Sequence, residues 1–304
     1  MSESRQALDD VRKAGAWPVM VLAHNEEKRI VKCLDSIYEA DPGRSFEVFV
    51  MANGCRDATE AIVANYARDH PGVHLVSIQL ADYCNAWNVF VHDTVPKNAI
   101  ESDVFFFMDG DCRACPRAFF ELYEGLRQHP EANAAGAPPK AGWNREKDGR
   151  KMIDGRSFFA NLYALRGSFV KRLQDGKVKF PVGLEGDDGL LGALVKWDLE
   201  PRGEWRDTRI VPCPESGFTF DPVSPFDVRV WKTYLKRLIR YGRRRYEFDL
   251  LRPLLKRDGL KALPEHISQV YGGANQLALR WQGIYTITNF LALRQMRRQA
   301  RSMG

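Results

Sequence analysis

Between residues 17 and 128 the chain repeats one pattern. A short apolar run is followed by a polar cluster, and then by apolar positions spaced three and four apart. The run 17–23 has strand length, and Asn25, Glu26 and Glu27 follow it as an N-cap and first-turn acids. Ile30, Leu34 and Ile37 then recur at helical spacing. A second run, 46–52, ends at Asn53 and Gly54, and Asp57 stands where it can cap a helix carrying Ala58, Ile62 and Tyr66. Residues 73–80 predict a third strand, 86–95 a helix and 104–108 another strand. Pro116 opens a helix over 117–128, a favoured place for proline. Strands alternating with helices predict an α/β fold, a mainly parallel sheet covered on both faces.

The pattern then loosens. Residues 134–142 predict a strand end and loop, 153–173 one long helix, 180–186 a loop and 187–197 a short helix. Pro212, Pro214 and Pro222 mark 210–221 as a strand with a turn-rich exit. From 226 onward the chain is helical and basic. The expected organisation is an N-terminal segment (1–16), a main domain (17–222, its halves about 17–112 and 113–222) and a helical C-terminal extension (223–304).

Composition adds little, but charge adds a good deal. Hydrophobic residues at 44% and charged residues at 28% are ordinary for a globular protein with a sizeable core. Residues 1–16 lack the apolar stretch of a secretory signal, and no run reaches membrane-spanning length. Six cysteines in 304 residues do not suggest a disulfide scaffold, so cytoplasmic residence is expected. Cys112 and Cys115 form a C-x-x-C with no second pair to complete a metal site, which favours a structural reading. Residues 226–257 hold eleven Lys or Arg against three Asp or Glu, a net +8 in a chain whose total is +6. That segment predicts a surface for anionic partners, with phosphates or acidic lipid favoured over nucleic acid.

The candidate chemistry sits where apolar runs end. Asp109, Gly110 and Asp111 directly follow the run 104–108, and two carboxylates at a strand end can hold a divalent cation. Ligands of open α/β sheets bind at the carboxyl ends of the strands. Three further clusters occupy similar places: residues 23–27, 53–57 and 185–189. Each alone is weak, because Asn, Asp and Gly are also the common turn residues, and Asp187 and Asp188 would equally suit a helix N-terminus.

Taken in order, these clusters resemble the family 2 glycosyltransferases, inverting enzymes with the Rossmann-like glycosyltransferase A fold. Ala23, His24, Asn25 and Glu26 match the family's opening motif, and residues 53–57 its second. Ala86 and Asn88 fit a third motif, although Tyr83 stands where that motif has lysine. Asp109-Gly110-Asp111 is the D-x-D, and Asp187-Asp188 before an apolar helix fits the later acidic motif. The resemblance covers about residues 17–200. It implies Asp111 as the direct metal ligand, with Asp109 facing the ribose or meeting the metal through water. Hard oxygen ligands suit Mn²⁺ or Mg²⁺. It places Ala23, Asn25, Glu26, Asn53, Asp57, Tyr83, Asn88 and Asp109 around the nucleotide. A UDP-sugar is the expected donor, but Asn53 replaces the aspartate many members set against uracil, and that departure leaves guanosine open. A carboxylate must take the acceptor's proton; Asp188 is the first candidate, then Asp187, then Glu185.

The basic segment has its own geometry. Arg229, Lys232, Lys236, Arg240 and Arg243 recur every three or four residues, beside an apolar stripe of Trp231, Leu235 and Leu238. This fits either a solvated surface helix or one reaching the donor diphosphate or a lipid-linked acceptor, with peripheral contact at the inner membrane face. Arg240 and Arg243 match an R-Y-G-R stretch frequent in the family. Gln276, Arg280 and Trp281 miss the Q-x-x-R-W spacing of processive synthases by one residue, so addition of a single sugar to a glycan or lipid-linked acceptor is expected, in envelope or exopolysaccharide assembly. Two other classes are weighed. Haloacid-dehalogenase-type phosphatases also carry D-x-D, but Arg113 stands where they have Thr or Val. A non-catalytic nucleotide- or anion-binding module would have no need of acidic strand ends.

Overall fold

The structure is a computed structural model, and it describes residues 15–221, 228–283 and 285–301, without the side chains of 228–234. Residues 1–14 of the N-terminal segment therefore lie outside it, as do the side chains of Arg229, Trp231 and Lys232. The chain divides into two compact units. The first holds residues 15–82, 86–177 and 207–221; the second holds 83–85, 178–206 and the chain from 228. The chain leaves the first unit at 178 and returns to it at 207.

The first unit is built on a seven-stranded sheet. Its strands are β1 (Trp17–Ala23), β2 (Phe46–Asn53), β3 (Val73–Ile78), β4 (Val104–Asp109), β6 (Ala134–Gly136), β7 (Leu162–Arg166) and β8 (Ile210–Pro212), in the order β3-β2-β1-β4-β7-β6-β8. The first four are mutually parallel, while β7 runs antiparallel to both β4 and β6. A two-stranded ribbon pairs β5 (Cys112–Ala114) with β9 (Phe218–Phe220). The apolar runs are continuous because both faces are covered. Val19, Val21, Phe106 and Met108 point into one core with helices α1 (Ile30–Ala40) and α4 (Ala118–Gln128). The alternate residues face the other way. There Phe107 stacks on Tyr163 at 4.8 Å, and Phe49 and Phe107 meet Phe90 at 5.8 and 5.7 Å. Phe90 begins a π turn, Phe90–Thr94, that prolongs helix α3 (Tyr83–Val89). Helix α2 is Thr59–Asp69.

Three local expectations are corrected. The single helix over 153–173 is instead α5 (Arg145–Asp154), then β7, then α6 (Gly167–Asp175). A run such as Leu-Tyr-Ala-Leu suits a helix or a strand by period alone. Its place beside β4, with Phe106 opposite Ala164, decides for strand. Asn25 does not cap α1, which starts at Ile30; Asn25 instead adopts a left-handed backbone with φ 58°. Residues 210–221 form two short strands, β8 and β9, rather than one.

The second unit is helical. Helix α7 (Asp187–Trp197) and the long α8 (Val228–Asp258) join a 3-10 stretch (Ile267–Asn275) and α9 (Tyr285–Arg301). Tyr246, Leu251, Leu255, Tyr271, Ala292, Leu293 and Met296 form its buried interior. The Lys256 ammonium lies 4.9 Å from the Trp197 ring, a cation–π contact between α8 and α7. No helix among the described residues is long and apolar enough to cross a membrane.

Candidate active site

In the first unit, parallel pairing aligns the ends of β1, β2 and β4 at one sheet edge. Gly110 makes the approach possible: its N–H donates to the Leu22 carbonyl at 2.7 Å, and a Cβ there would lie 2.8 Å from that oxygen. The β1 and β2 loops are sewn together. Asn53 donates to the Ala23 carbonyl at 3.3 Å, and Cys55 donates to the same oxygen at 3.5 Å. His24 Nδ1 lies 2.6 Å from the Asn53 carbonyl, which can only accept, so Nδ1 carries the proton. Nε2 then accepts from Asn25 Nδ2 at 2.9 Å. The Asn25 amide oxygen in turn accepts the Arg56 N–H at 2.8 Å. His24 is thus a structural link and not a base.

Four carboxylates gather at this edge. Asp57 accepts the Thr59 hydroxyl at 2.6 Å, the Thr59 N–H at 3.0 Å and the Glu27 N–H at 3.1 Å. Burial works to raise its pKa, but these hydrogen bonds prevail and hold it below the usual value. Burial raises the Glu26 carboxyl; Arg29, which donates to it at 2.6 Å, opposes this, and the Asp111 and Asp57 charges add to it. Asp109 Oδ2 accepts the Asn161 amide at 2.9 Å, and its N–H donates to the Asn161 carbonyl at 3.1 Å. Asp111 Oδ1 accepts the Cys112 thiol at 3.3 Å, and Asp111 has no ion pair within 4 Å among the described residues. Burial pushes the Cys112 thiol far up, with the two neighbouring aspartates adding to it, so it stays protonated and donates. No group of three or more potential metal-ligating side chains exists among the described residues. A pair of strand-end carboxylates fits a hard cation that takes its other ligands from phosphate and water. Of the remaining nucleotide candidates, Tyr83 opens α3 and Asn88 is buried on the same helix.

The second unit gathers the other candidates. Residues 182–188 run beside α8, and two hydrogen bonds tie Val182 to Glu265 and Ile267, at 2.8 and 3.0 Å. Arg243 donates to the Gly183 carbonyl at 3.1 Å and to Glu247 at 2.8 Å. Glu247 is fully buried; it also accepts the Tyr271 hydroxyl at 2.5 Å and the Glu185 N–H at 2.9 Å. This network fixes the acidic turn against the helix through a buried, satisfied carboxylate. Arg240 then donates to the Glu185 carboxylate at 2.7 Å, and Arg244 pairs with Asp188. Asp187 differs from its neighbours. It has no ion pair within 4 Å among the described residues, and burial raises its carboxyl to about 6 against the opposing pull of Arg244 and Arg240.

Ala23, Asn25, Glu26, Asn53, Asp57, Asp109 and Asp111 are thus brought together in one unit, and Glu185, Asp187, Asp188, Arg240 and Arg243 in the other. Sequence reasoning missed Thr59, Asn161, Arg244, Glu247 and Tyr271. Arg244 lay in plain view inside the basic run, and Glu247 follows Arg243 by one helical turn. Asn161 carried no signal, because its role depends on an antiparallel strand that was not foreseen.

Comparison with known proteins identifies the family and the fold. Residues 19–183 match the model of glycosyl transferase family 2. A dolichyl-phosphate beta-glucosyltransferase (ALG5A) of Trichomonas vaginalis is 35% identical over 66 residues, 19% of this chain and 20% of that protein. The chain therefore matches about a fifth of that relative's length. Among solved structures, a mannosyltransferase from Pyrobaculum calidifontis, in complex with GDP-Man and Mn²⁺, superposes with a TM-score of 0.56 at 17% identity, covering 99% of this chain and 92% of the other. The glucosyl-3-phosphoglycerate synthase of Mycobacterium tuberculosis, with Mn²⁺, UDP-glucose and phosphoglyceric acid, gives 0.50 at 18% identity over 71% and 75%. At such identities these two speak for the glycosyltransferase A fold.

Proposed function

We propose that this chain, which belongs to glycosyl transferase family 2 and is a nucleotide-sugar glycosyltransferase, transfers one sugar with inversion from a UDP-sugar to a glycan or lipid-linked acceptor. The observation that carries the proposal is the carboxylate cluster at the shared end of β1, β2 and β4, where Asp111 has no ion pair among the described residues. Asp111 and Asp109 would hold Mn²⁺ or Mg²⁺, which supplies charge neutralisation for a departing diphosphate. Both structural neighbours were crystallised with Mn²⁺, in support of this reading. Ala23, Asn25, Glu26, Asn53 and Asp57 would frame the nucleoside, the Asn53 side chain braced by the Ala23 carbonyl.

The base assignment moves within the acidic turn. An inverting transfer needs a carboxylate to take the acceptor proton, and the best catalytic pKa lies near the operating pH. Asp188 is tied to Arg244 and Glu185 to Arg240, whereas Asp187, at about 6, is ionised at neutral pH and still basic. Asp187 is therefore the proposed base, and Asp188 keeps Arg244 in place. A relative that acts on dolichyl phosphate favours the lipid-linked acceptor, and with it a role in envelope glycan assembly at the membrane face.

The direct test is a thermal-shift panel of UDP-, GDP- and CDP-sugars with and without Mn²⁺, since a ligand of the folded state raises its apparent stability. A UDP-sugar is expected to raise Tm, and to do so only with the metal. A larger shift with a GDP-sugar would transfer the donor assignment to guanosine, and equal shifts without metal would remove the metal from the proposal.

A further inference from the structure

The basic character of the C-terminal region divides into two kinds once the contacts are known. The α8 arginines at the acidic turn are already spent. Arg240 pairs with Glu185, Arg243 with Glu247, and Arg244 with Asp188. Helix α9 is different. From residue 266 to the end the sequence contains five arginines and no Asp or Glu. Arg280 pairs with Asp249, and Arg297 donates to the Ala274 and Leu277 carbonyls. Arg294, Arg298 and Arg301 are exposed and have no ion pair within 4 Å among the described residues.

These three continue a line that begins with apolar side chains. Ile287, Phe290, Arg294, Arg298 and Arg301 follow one another at steps of three and four, the spacing of one helix face. The opposite face, with Thr288, Ala292, Leu293 and Met296, is buried in the second unit. Ile287 is 67% exposed and Phe290 51%, and Trp281, just ahead of the helix, is 82% exposed. Among the described residues, four of the eleven exposed large apolar side chains fall within 281–290, so the patch is concentrated and not scattered.

We propose that this face of α9 is a docking surface for a membrane bearing anionic lipid. Exposed aliphatic and aromatic side chains beside arginines that have no ion pair among the described residues suit a helix lying in the headgroup layer. Phe290 and Trp281 would suit a base as well as a lipid, but Ile287, 67% exposed, has no stacking role and gains only from burial among acyl chains, so lipid is favoured over nucleic acid. The inference gives the proposed membrane contact a specific surface, but it does not depend on the donor or the base.

The test is co-sedimentation of the full chain, without substrates, with vesicles of phosphatidylcholine alone or of phosphatidylcholine mixed with phosphatidylglycerol, which supplies the anionic surface. Binding is expected only to the anionic vesicles, falling with salt. R294Q/R298Q should weaken it roughly 30-fold, taking about fivefold per arginine. I287S/F290S should weaken it at least about tenfold. All four positions are exposed, and circular dichroism of each variant checks its fold. Equal binding to neutral vesicles, no binding to either, or anionic binding that both variants leave unchanged would overturn the proposal. So would tighter binding to a DNA duplex than to the anionic vesicles. Because no substrate is present, failure here would leave the glycosyl-transfer reading standing, and failure of the donor panel would leave this one standing.

Discussion

Two clusters of carboxylates in this molecule use the same residue types to opposite electrostatic ends. At the sheet edge, Arg29 meets Glu26, but Asp57, Asp109 and Asp111 receive hydrogen bonds from neutral groups: backbone N–H, the Thr59 hydroxyl, the Asn161 amide and the Cys112 thiol. At the acidic turn, Glu185 and Asp188 are met by the full charges of Arg240 and Arg244. Neutral donors orient a carboxylate without cancelling its charge, so the first cluster keeps a negative field that suits a cation. Arginines cancel charge, so the second is close to neutral and suits proton transfer. The division of labour proposed for the two follows from their partners more than from the acids themselves.

The sharpest way to break that contrast is to remove the uncompensated charge. Asp111→Asn preserves shape and hydrogen bonding but not the anionic ligand. Because removal of mere outer-shell partners already costs about 10- to 100-fold in metal affinity, loss of a direct ligand should exceed about 100-fold. Calorimetric titration of a UDP-sugar with and without Mn²⁺ should show the metal dependence gone. Retained metal-dependent affinity would mean that the cation is held elsewhere.

The next effect belongs to the acidic turn. Asp187→Asn should lower kcat by about 10²- to 10⁴-fold, the usual worth of a general base, and leave metal-dependent donor binding intact. The wild-type rate should rise with pH through about 6, because the raised carboxyl must lose its proton before it can accept another. If Asp188→Asn rather than Asp187→Asn produces this loss, the motif position outweighs the local electrostatics, and the base returns to Asp188.

That choice shows how far the sequence could be read. The alternation of runs such as 104–108 with helical spacing was enough for the parallel half of the sheet, since a strand buried on both faces is apolar throughout. The D-x-D was legible because it follows such a run directly. The antiparallel half was not: β7 resembles a helix by period, and only pairing with β4 resolves it. With β7 unseen, Asn161 could not be placed beside Asp109. The acidic turn was visible as acids, but its electrostatics were not, because Arg244 meets Asp188 across 56 positions of sequence. Long-range partners decide which of three neighbouring carboxylates stays basic, and spacing carries no trace of them.

The smallest effect expected is also the one that isolates the arginines. Arg244 pulls the Asp187 pKa down against burial, which pushes it up. Arg244→Gln keeps a hydrogen-bond donor for Asp188 but removes the positive charge, so the Asp187 pKa must rise further. Since the deprotonated form is the base, the acid limb of the kcat profile should move to higher pH. The loss of rate should be clear near pH 6 and nearly absent well above it, where Asp187 is ionised in both proteins. A pH–rate profile of the two proteins side by side reads this directly. An arginine that served only to hold the turn in shape would instead lower the rate by the same factor at every pH, and that flat loss would remove electrostatic tuning from the account of the acidic turn.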